Sequence, residues 1–312
     1  MNLAINLIQA LLLIAIAPLV SGTISRVKAR IQNRRGASLW RPYADLVKLF
    51  RKQDLIPDTA SVLFRFAPAI VFAATATAAA FVPLLHPAAL FGMSGDIILL
   101  VYLLAIGRFF LMLGAMDGGS PFGGLGASRE ALVSALAEAP LLLALISVAI
   151  LSHTVSLSGI VLATVKQDPL HLSAVYAFAL GALVLIAIAE TGRIPVDNPT
   201  THLELTMIHE AMVLEYSGPS LALIEWASAI KLTLIMAMLA GIFAPWGMAE
   251  NLSIAALLLA PLVLVFKLAV LTVAIAVIES SIAKLRVYLI PDFLGMASAL
   301  AILAVAFTAL MR

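Results

Sequence analysis

No cysteine occurs anywhere in the 312 residues. That absence excludes disulfides, thiol catalysis and thiolate-held iron–sulfur clusters within the chain. Charge is scarce too. Asp, Glu, Lys and Arg make up 12% of residues, against roughly 25% in an ordinary soluble domain. His209-Glu210 lacks the second histidine of a metalloprotease helix, because Val stands at position 213, so no metal site is expected. The Gly-rich run 117–126 lacks the Gly-Lys-Ser/Thr ending of a phosphate loop. It reads instead as a flexible connection, with Pro and Gly for tight turns. There is no internal repeat and no low-complexity tract, which argues against an inverted-repeat transporter. Nothing points to a nucleic-acid partner.

Apolar surface is what the chain has in excess. Hydrophobic residues are 63% of the total and the mean hydropathy is +1.10. A soluble fold of this size has no interior large enough to hide that much. Eight apolar runs cover about 3–21, 67–85, 97–114, 131–152, 172–190, 222–245, 253–278 and 290–311. Each is long enough for a helix to cross about 30 Å of hydrocarbon, and each is too long for a barrel strand. The expected fold is all-α: a polytopic transmembrane helical bundle of about eight spans, forming one membrane domain over 1–312. The first run has no basic flank and no small-residue cleavage site, so it is expected to be a span and not a cleaved signal.

Lys and Arg set the expected orientation. Segment 22–66 holds ten of the nineteen: Arg26, Lys28, Arg30, Arg34, Arg35, Arg41, Lys48, Arg51, Lys52 and Arg65. Arg129, Arg193, Lys284 and Arg286 fall in loops on the same side, whereas only Lys166 and Arg312 fall on the other. The positive-inside rule then places both termini outside, with a basic loop 22–66 and an acidic loop 191–221 in the cytoplasm.

The remaining cations, Arg108, Lys231 and Lys267, lie inside expected spans, as do Glu138 and Glu225. Glu190 and Glu279 sit at span ends. An intramembrane charge costs at least about 2.5–3.5 kcal/mol, so it persists only with a partner or a wet cavity. Seven such positions suggest an internal polar path. Two plainer readings stand beside it: snorkelling for Glu190 and Glu279, and inert ion pairing for the rest. A carboxyl as deep as Glu138 is either protonated or held by a cation, for which Arg108 and Lys231 are the candidates.

Segment 190–219 carries the densest set of titratable groups. Pro195 and Pro199 break any helix leaving the fifth span. Thr201-His202-Leu203-Glu204 fits a capping box, predicting a helix of about 14 residues over 202–216 that ends before Gly218-Pro219. It would carry Glu204, Glu210 and Glu215 as a proton-exchanging row, or else lie on the membrane surface as a solvated amphipathic helix. Glu215, beside the turn into the sixth span, is expected to be the most buried of the three.

Four stretches together resemble the family of subunit 1 of respiratory complex I, and more closely its homologue in group 4 membrane-bound [NiFe] hydrogenases and formate hydrogenlyase. They are Gln32-Asn-Arg-Arg-Gly36 with Arg41-Pro-Tyr-Ala-Asp-Leu-Val-Lys-Leu49; Gly114-Ala-Met-Asp-Gly-Gly-Ser-Pro-Phe122 with Gly126-Ala-Ser-Arg-Glu130; the nine-residue spacing from Arg129 to Glu138; and Glu190-Thr-Gly-Arg-Ile-Pro-Val-Asp197 with Glu215-Tyr-Ser-Gly218. Glu279-Ser-Ser-Ile-Ala-Lys-Leu-Arg286 resembles the hydrogenase branch again.

The resemblance implies a subunit without a redox centre, embedded in a bacterial or archaeal cytoplasmic membrane. It would anchor soluble iron–sulfur and hydrogenase-like large and small subunits, sit beside antiporter-like membrane subunits, and couple electron transfer to proton or sodium translocation. Iron–sulfur clusters and a NiFe centre would belong to those partners. By position, Glu138, Glu190, Asp197, Glu204, Glu210 and Glu215 fall on the family's acidic path, joined by Arg108, Glu225, Lys231 and Lys267. Arg34, Arg35, Asp45, Lys48, Arg129 and Arg193 fall on its docking surface or quinone-like chamber. Thr200 and His202 stand where the complex I pattern has acids, which argues against a quinone chamber of that type. A stand-alone secondary transporter and a purely structural anchor remain the alternatives.

Overall fold

The computed structural model describes residues 2–90, 92, 95–166, 174–198, 207–249 and 254–310. Every regular element among them is helical: α1 Asn2–Ile31, α2 Arg41–Phe50, α3 Val62–Ala79, α4 Asp96–Asp117, α5 Pro121–Leu151, α6 Leu157–Lys166, α7 Ala174–Glu190, α8 His209–Val213, α9 Gly218–Phe243, α10 Ile254–Ser281 and α11 Ile290–Leu310. Seven are long and apolar enough to cross a membrane, and α7 is a shorter apolar helix. They fall where the eight apolar runs lie, and the chain is a multi-pass helical bundle.

Helix length and apolar run length differ informatively. Helix α1 continues about ten residues past its apolar run, to Ile31, and α5 begins ten residues before its run, at Pro121. Hydropathy marks only the hydrocarbon-depth part of a helix, whereas Lys, Arg and Ala continue it into the polar zone. These extensions carry Lys28 and Glu130 to the same level as the ends of α7 and α10. The Gly-rich run is correspondingly not a loose connection. Pro121 opens α5, so Phe122–Gly126 are helical, and a Cβ at Gly126 would press on the Ile208 carbonyl and Ala211. The glycines admit α8 at close range.

Helix α9 is central, with 72% of its apolar window buried, and α10 is at the rim with 28%. The largest buried cluster joins α1, α3, α4, α5, α7, α9 and α11 through residues such as Leu13, Leu104, Leu145, Leu183 and Ile235.

Each end of the bundle is closed by a polar side chain. At the end away from the basic segment, Gln9 donates to the Ala88 carbonyl at 2.6 Å and accepts the N–H groups of Leu84, Leu85 and His86. Asp96 there accepts the N–H of Leu157 at 2.6 Å and the Ser156 hydroxyl at 2.9 Å, starting the unexpected short helix α6.

At the basic end, Asp117 accepts the N–H groups of Ser61 and Phe64, capping α3. The segment leaving α2 is stitched to the turn before α9. Leu55 N–H donates to Ser217 Oγ at 2.7 Å, Ser217 Oγ donates back to the Leu55 carbonyl at 3.3 Å, and Ser220 donates to Asp54. Gly218, at φ +48°, lies where a Cβ would stand 2.5 Å from the Gln53 carbonyl, so both its dihedral and its space require glycine. Helix α2 has no buried residue. It lies against α1 and α9, with Tyr43 donating to the Ala15 carbonyl and Phe50 edge-on to Trp226.

The expected helix over 202–216 is not the one found. Among the described residues, only His209–Val213 are helical there. The N–H groups of Ile208 and His209 are instead taken by the Asp197 carboxylate, at 3.2 and 3.0 Å, which fixes the start of α8 from outside its own sequence. The capping box at 201–204, with His202 and Glu204, lies outside the described residues.

Candidate functional site

Four helices each bring one charged side chain to a common level: Arg108 from α4, Glu138 from α5, Glu190 from the end of α7 and Lys231 from α9. Arg108 donates to Glu190 and reaches Glu138 at 3.4 Å, and Lys231 lies 3.0 Å from the other Glu190 oxygen. The Glu190 carboxylate is 1% exposed, which overturns the snorkelling reading. Its burial is tolerable because two cations hold it; a lone buried carboxylate would cost several kcal/mol. Glu138 differs. Its side chain is 36% exposed, so the network reaches the surface of the bundle part-way along α5.

Towards the basic end a second cluster follows. Glu279, at the end of α10 and also buried, pairs with Lys28 of α1 at 2.6 Å and with Arg193 at 3.2 Å. A third joins Asp197 to Lys284 at 2.6 Å, while Arg129 donates to the Met207 carbonyl at 2.9 Å. Arg193 and Arg129, expected on the docking surface or quinone-like chamber, are part-buried at these clusters and not on the exposed basic face. Each is drawn in by an acceptor that sequence cannot supply: a carboxylate 86 residues away and a backbone carbonyl 78 residues away.

The clusters wall a cavity of about 260 Å³. Glu130, Glu190, Asp197, Glu210 and Glu225 line it, opposed by Lys28, Arg108, Arg193 and Lys231, with His209 beside them. The His209 Nε2 atom is buried and has no hydrogen-bond partner among the described residues. The cavity is slightly smaller than the roughly 300–1,000 Å³ of pockets for drug-sized ligands, and its charged side chains stand among apolar ones such as Val71, Leu111 and Ile224. No group of three or more His, Cys, Asp and Glu among the described residues is placed to hold a metal.

Other expected residues fall elsewhere. Arg34, Arg35, Asp45 and Lys48 are exposed on the basic face, with Asp45 3.5 Å from Arg41. Glu215 is exposed, contrary to the expectation that it would be the most buried of its row. The buried group at that turn is Tyr216, stacked on Phe64 with ring centroids 4.1 Å apart. With α8 only five residues long, Glu215 has left the helix, and the turn points it to solvent. Burial, and then the charges of Asp117 and Asp54, push the Tyr216 hydroxyl above the usual phenol range. Glu225 lines the cavity mouth and is itself exposed.

Lys267 is not part of the network. Its ammonium sits 4.8 Å from the Trp246 ring, away from the cavity wall, because α10 turns that face to the 244–249 connection. Glu204 is outside the described residues. Sequence reasoning missed Glu130, Lys28 and Lys284 as site residues. The signal for Glu130 was its place next to Arg129, whereas Lys28 was hidden in a basic run counted as docking charge.

Comparison with known proteins fits this architecture. The sequence matches the family described as NADH dehydrogenase over residues 3–310. Formate hydrogenlyase subunit 4 of Escherichia coli K12 is 36% identical over 291 residues, covering 93% of this chain and 94% of the relative. Hydrogenase-4 component C of the same organism is 34% identical over 300 residues, covering 96% and 93%. NADH-quinone oxidoreductase subunit 8 of Rhodothermus marinus is 27% identical over 229 residues, covering 70% of this chain and 66% of the relative. Among solved structures, a chain of the membrane-bound sulfane sulfur reductase, an archaeal respiratory membrane complex, superposes with a TM-score of 0.83. It is 24% identical, and the match covers 99% of this chain and 100% of that one, so it supports the fold. A family match running almost end to end, with two relatives above 30% identity over more than nine-tenths of both partners, places this chain in the NADH dehydrogenase family, that of subunit 1 of complex I.

Proposed function

We propose that this chain is the membrane-embedded coupling and anchoring subunit of a complex I-like energy-converting complex in a bacterial or archaeal cytoplasmic membrane. The basic end faces the cytoplasm and docks soluble iron–sulfur and hydrogenase-like subunits on Arg34, Arg35 and Lys48. The cavity takes protons, or sodium ions, from that side through Glu210, His209 and Glu130. They pass to the Arg108–Glu190–Lys231 cluster and leave at Glu138 towards an antiporter-like neighbour. Redox centres belong to the partner subunits, since this chain has no thiolate to hold one. The nine charged side chains lining the cavity favour water and small ions over a quinone.

One observation carries this reading. A carboxylate part-way along a membrane helix, 36% exposed and tied by Arg108 to a charged cavity, has no place against lipid. It needs a neighbouring subunit and offers that subunit a proton.

Glu138→Gln keeps the shape and removes the titration. In membrane vesicles holding the assembled complex, we expect near-normal assembly and electron transfer with loss of coupled proton or sodium movement. Wild-type transport in that variant would return Glu138, and the network with it, to a purely structural role.

A further inference from the structure

The charged network has an abrupt outer limit. From each of its four residues, the next turns of the same helix away from the basic end are apolar. Leu104 and Leu100 stand one and two turns beyond Arg108, and Leu141 stands one turn beyond Glu138. Ile186 and Leu183 lie beyond Glu190, and Ile235 and Met238 beyond Lys231. These seven side chains are all buried. They close on a cavity of about 10 Å³ whose only polar lining residue, among the described residues, is Glu190 at its base. That volume sits at the floor of about 10–15 Å³ needed to admit one water. Two turns of four helices make a layer about 11 Å thick.

No polar group described within this layer offers a stepping stone, whereas the outer half beyond it does hold buried polar residues such as Tyr176, Asp96 and Gln9. Ser147 spends its hydroxyl on the Ala144 carbonyl and Thr233 on the Ala229 carbonyl, each within its own helix. Leu145, Val148, Ala179 and Ile242 continue the column as buried apolar groups.

We infer that this leucine, isoleucine and methionine layer is a dry barrier that seals the charged cavity from the far side of the membrane, with Leu104 at its inner edge and Met238 farther out. A proton crosses hydrocarbon only along hydrogen-bonded water, and an apolar constriction of this width excludes water by dewetting. Without the layer, ions entering from the basic end would run through this chain and dissipate the gradient the complex builds. The inference rests on the coupling reading for its purpose, but the barrier is measured separately from it.

The test uses the whole complex in liposomes carrying an internal pH dye, with no electron donor, and follows proton influx driven by a potassium diffusion potential. Leu104→Asn with Met238→Gln places two amides at different heights in the layer. Each amide gives water a hydrogen-bonding partner inside the layer. Influx should rise at least about tenfold, which corresponds to about 1.4 kcal/mol off the barrier. Met238→Leu should leak as the wild type does. An unchanged leak in the assembled double variant overturns the barrier. If the double variant fails to assemble, Met238→Gln alone, nearly isosteric, is judged by the same comparison. Loss of coupling in Glu138→Gln together with an unchanged leak in the layer variants would sustain the function and refute the seal. The reverse pattern would do the opposite.

Discussion

Asp197→Asn is the sharpest probe of how the acidic loop is held. The Asp197 carboxylate, 2% exposed, accepts from Lys284 at 2.6 Å, from Asn198 N–H at 2.8 Å, and from the N–H groups of His209 and Ile208 at 3.0 and 3.2 Å. Asparagine has the same shape but one acceptor oxygen. Its NH2 must face either the Lys284 ammonium or the start of α8, so donors confront donors. Breaking a buried charge pair in this way costs about 3–5 kcal/mol. Even the lower figure raises the population of locally opened α8 more than about a hundredfold. Hydrogen–deuterium exchange of the purified complex reads it directly. Amides in 207–217 should exchange at least that much faster, with the centre of α9 unchanged as the internal reference. Lys284→Met should have a smaller effect, because the carboxylate keeps its three backbone donors. Wild-type exchange over 207–217 in the Asn variant would refute the account and leave α8 held by its packing on Gly126.

The basic face and the Tyr216 turn give further tests. Arg34→Ala with Arg35→Ala, both exposed, should release the soluble subunits from membranes while this chain stays inserted, as read by co-purification; full retention refutes docking there. Glu210→Gln should lower coupled activity more than Glu215→Gln, because only Glu210 lines the cavity, and equal activities would move the path elsewhere. Tyr216→Phe should be neutral or stabilising in thermal melts, because the buried hydroxyl has no partner among the described residues and removing an unsatisfied group recovers up to about 1–3 kcal/mol. A marked loss of stability would mean that the hydroxyl is bonded.

The bundle was legible because the membrane imposes one length on every span, and uninterrupted apolar runs report it. Arg108 as the partner of Glu138 was also within reach, since a buried carboxylate needs a cation and few were available at that depth. What escaped the sequence depends on contacts across long separations. Lys28 looks like one more residue of a basic tract until Glu279, at the far end of α10, is brought beside it. The start of α8 could not be read from its own neighbourhood, because its N–H groups are answered by Asp197. Glu215 was misplaced for the same reason: a helix read as 14 residues long puts it on a buried face, and one that stops at Val213 does not.

The stitch between Leu55 and Ser217 has a mechanical consequence. The basic segment and the acidic loop are 162 residues apart in sequence, yet a displacement of α2 reaches α8 across one seam of exposed hydrogen bonds. Bonds of that kind are worth only about 0.5–1.5 kcal/mol each. The seam therefore behaves as a slip clutch: small movements of whatever sits on the basic face are passed to the mouth of the cavity, and larger ones shear the seam before they can distort the helices behind it.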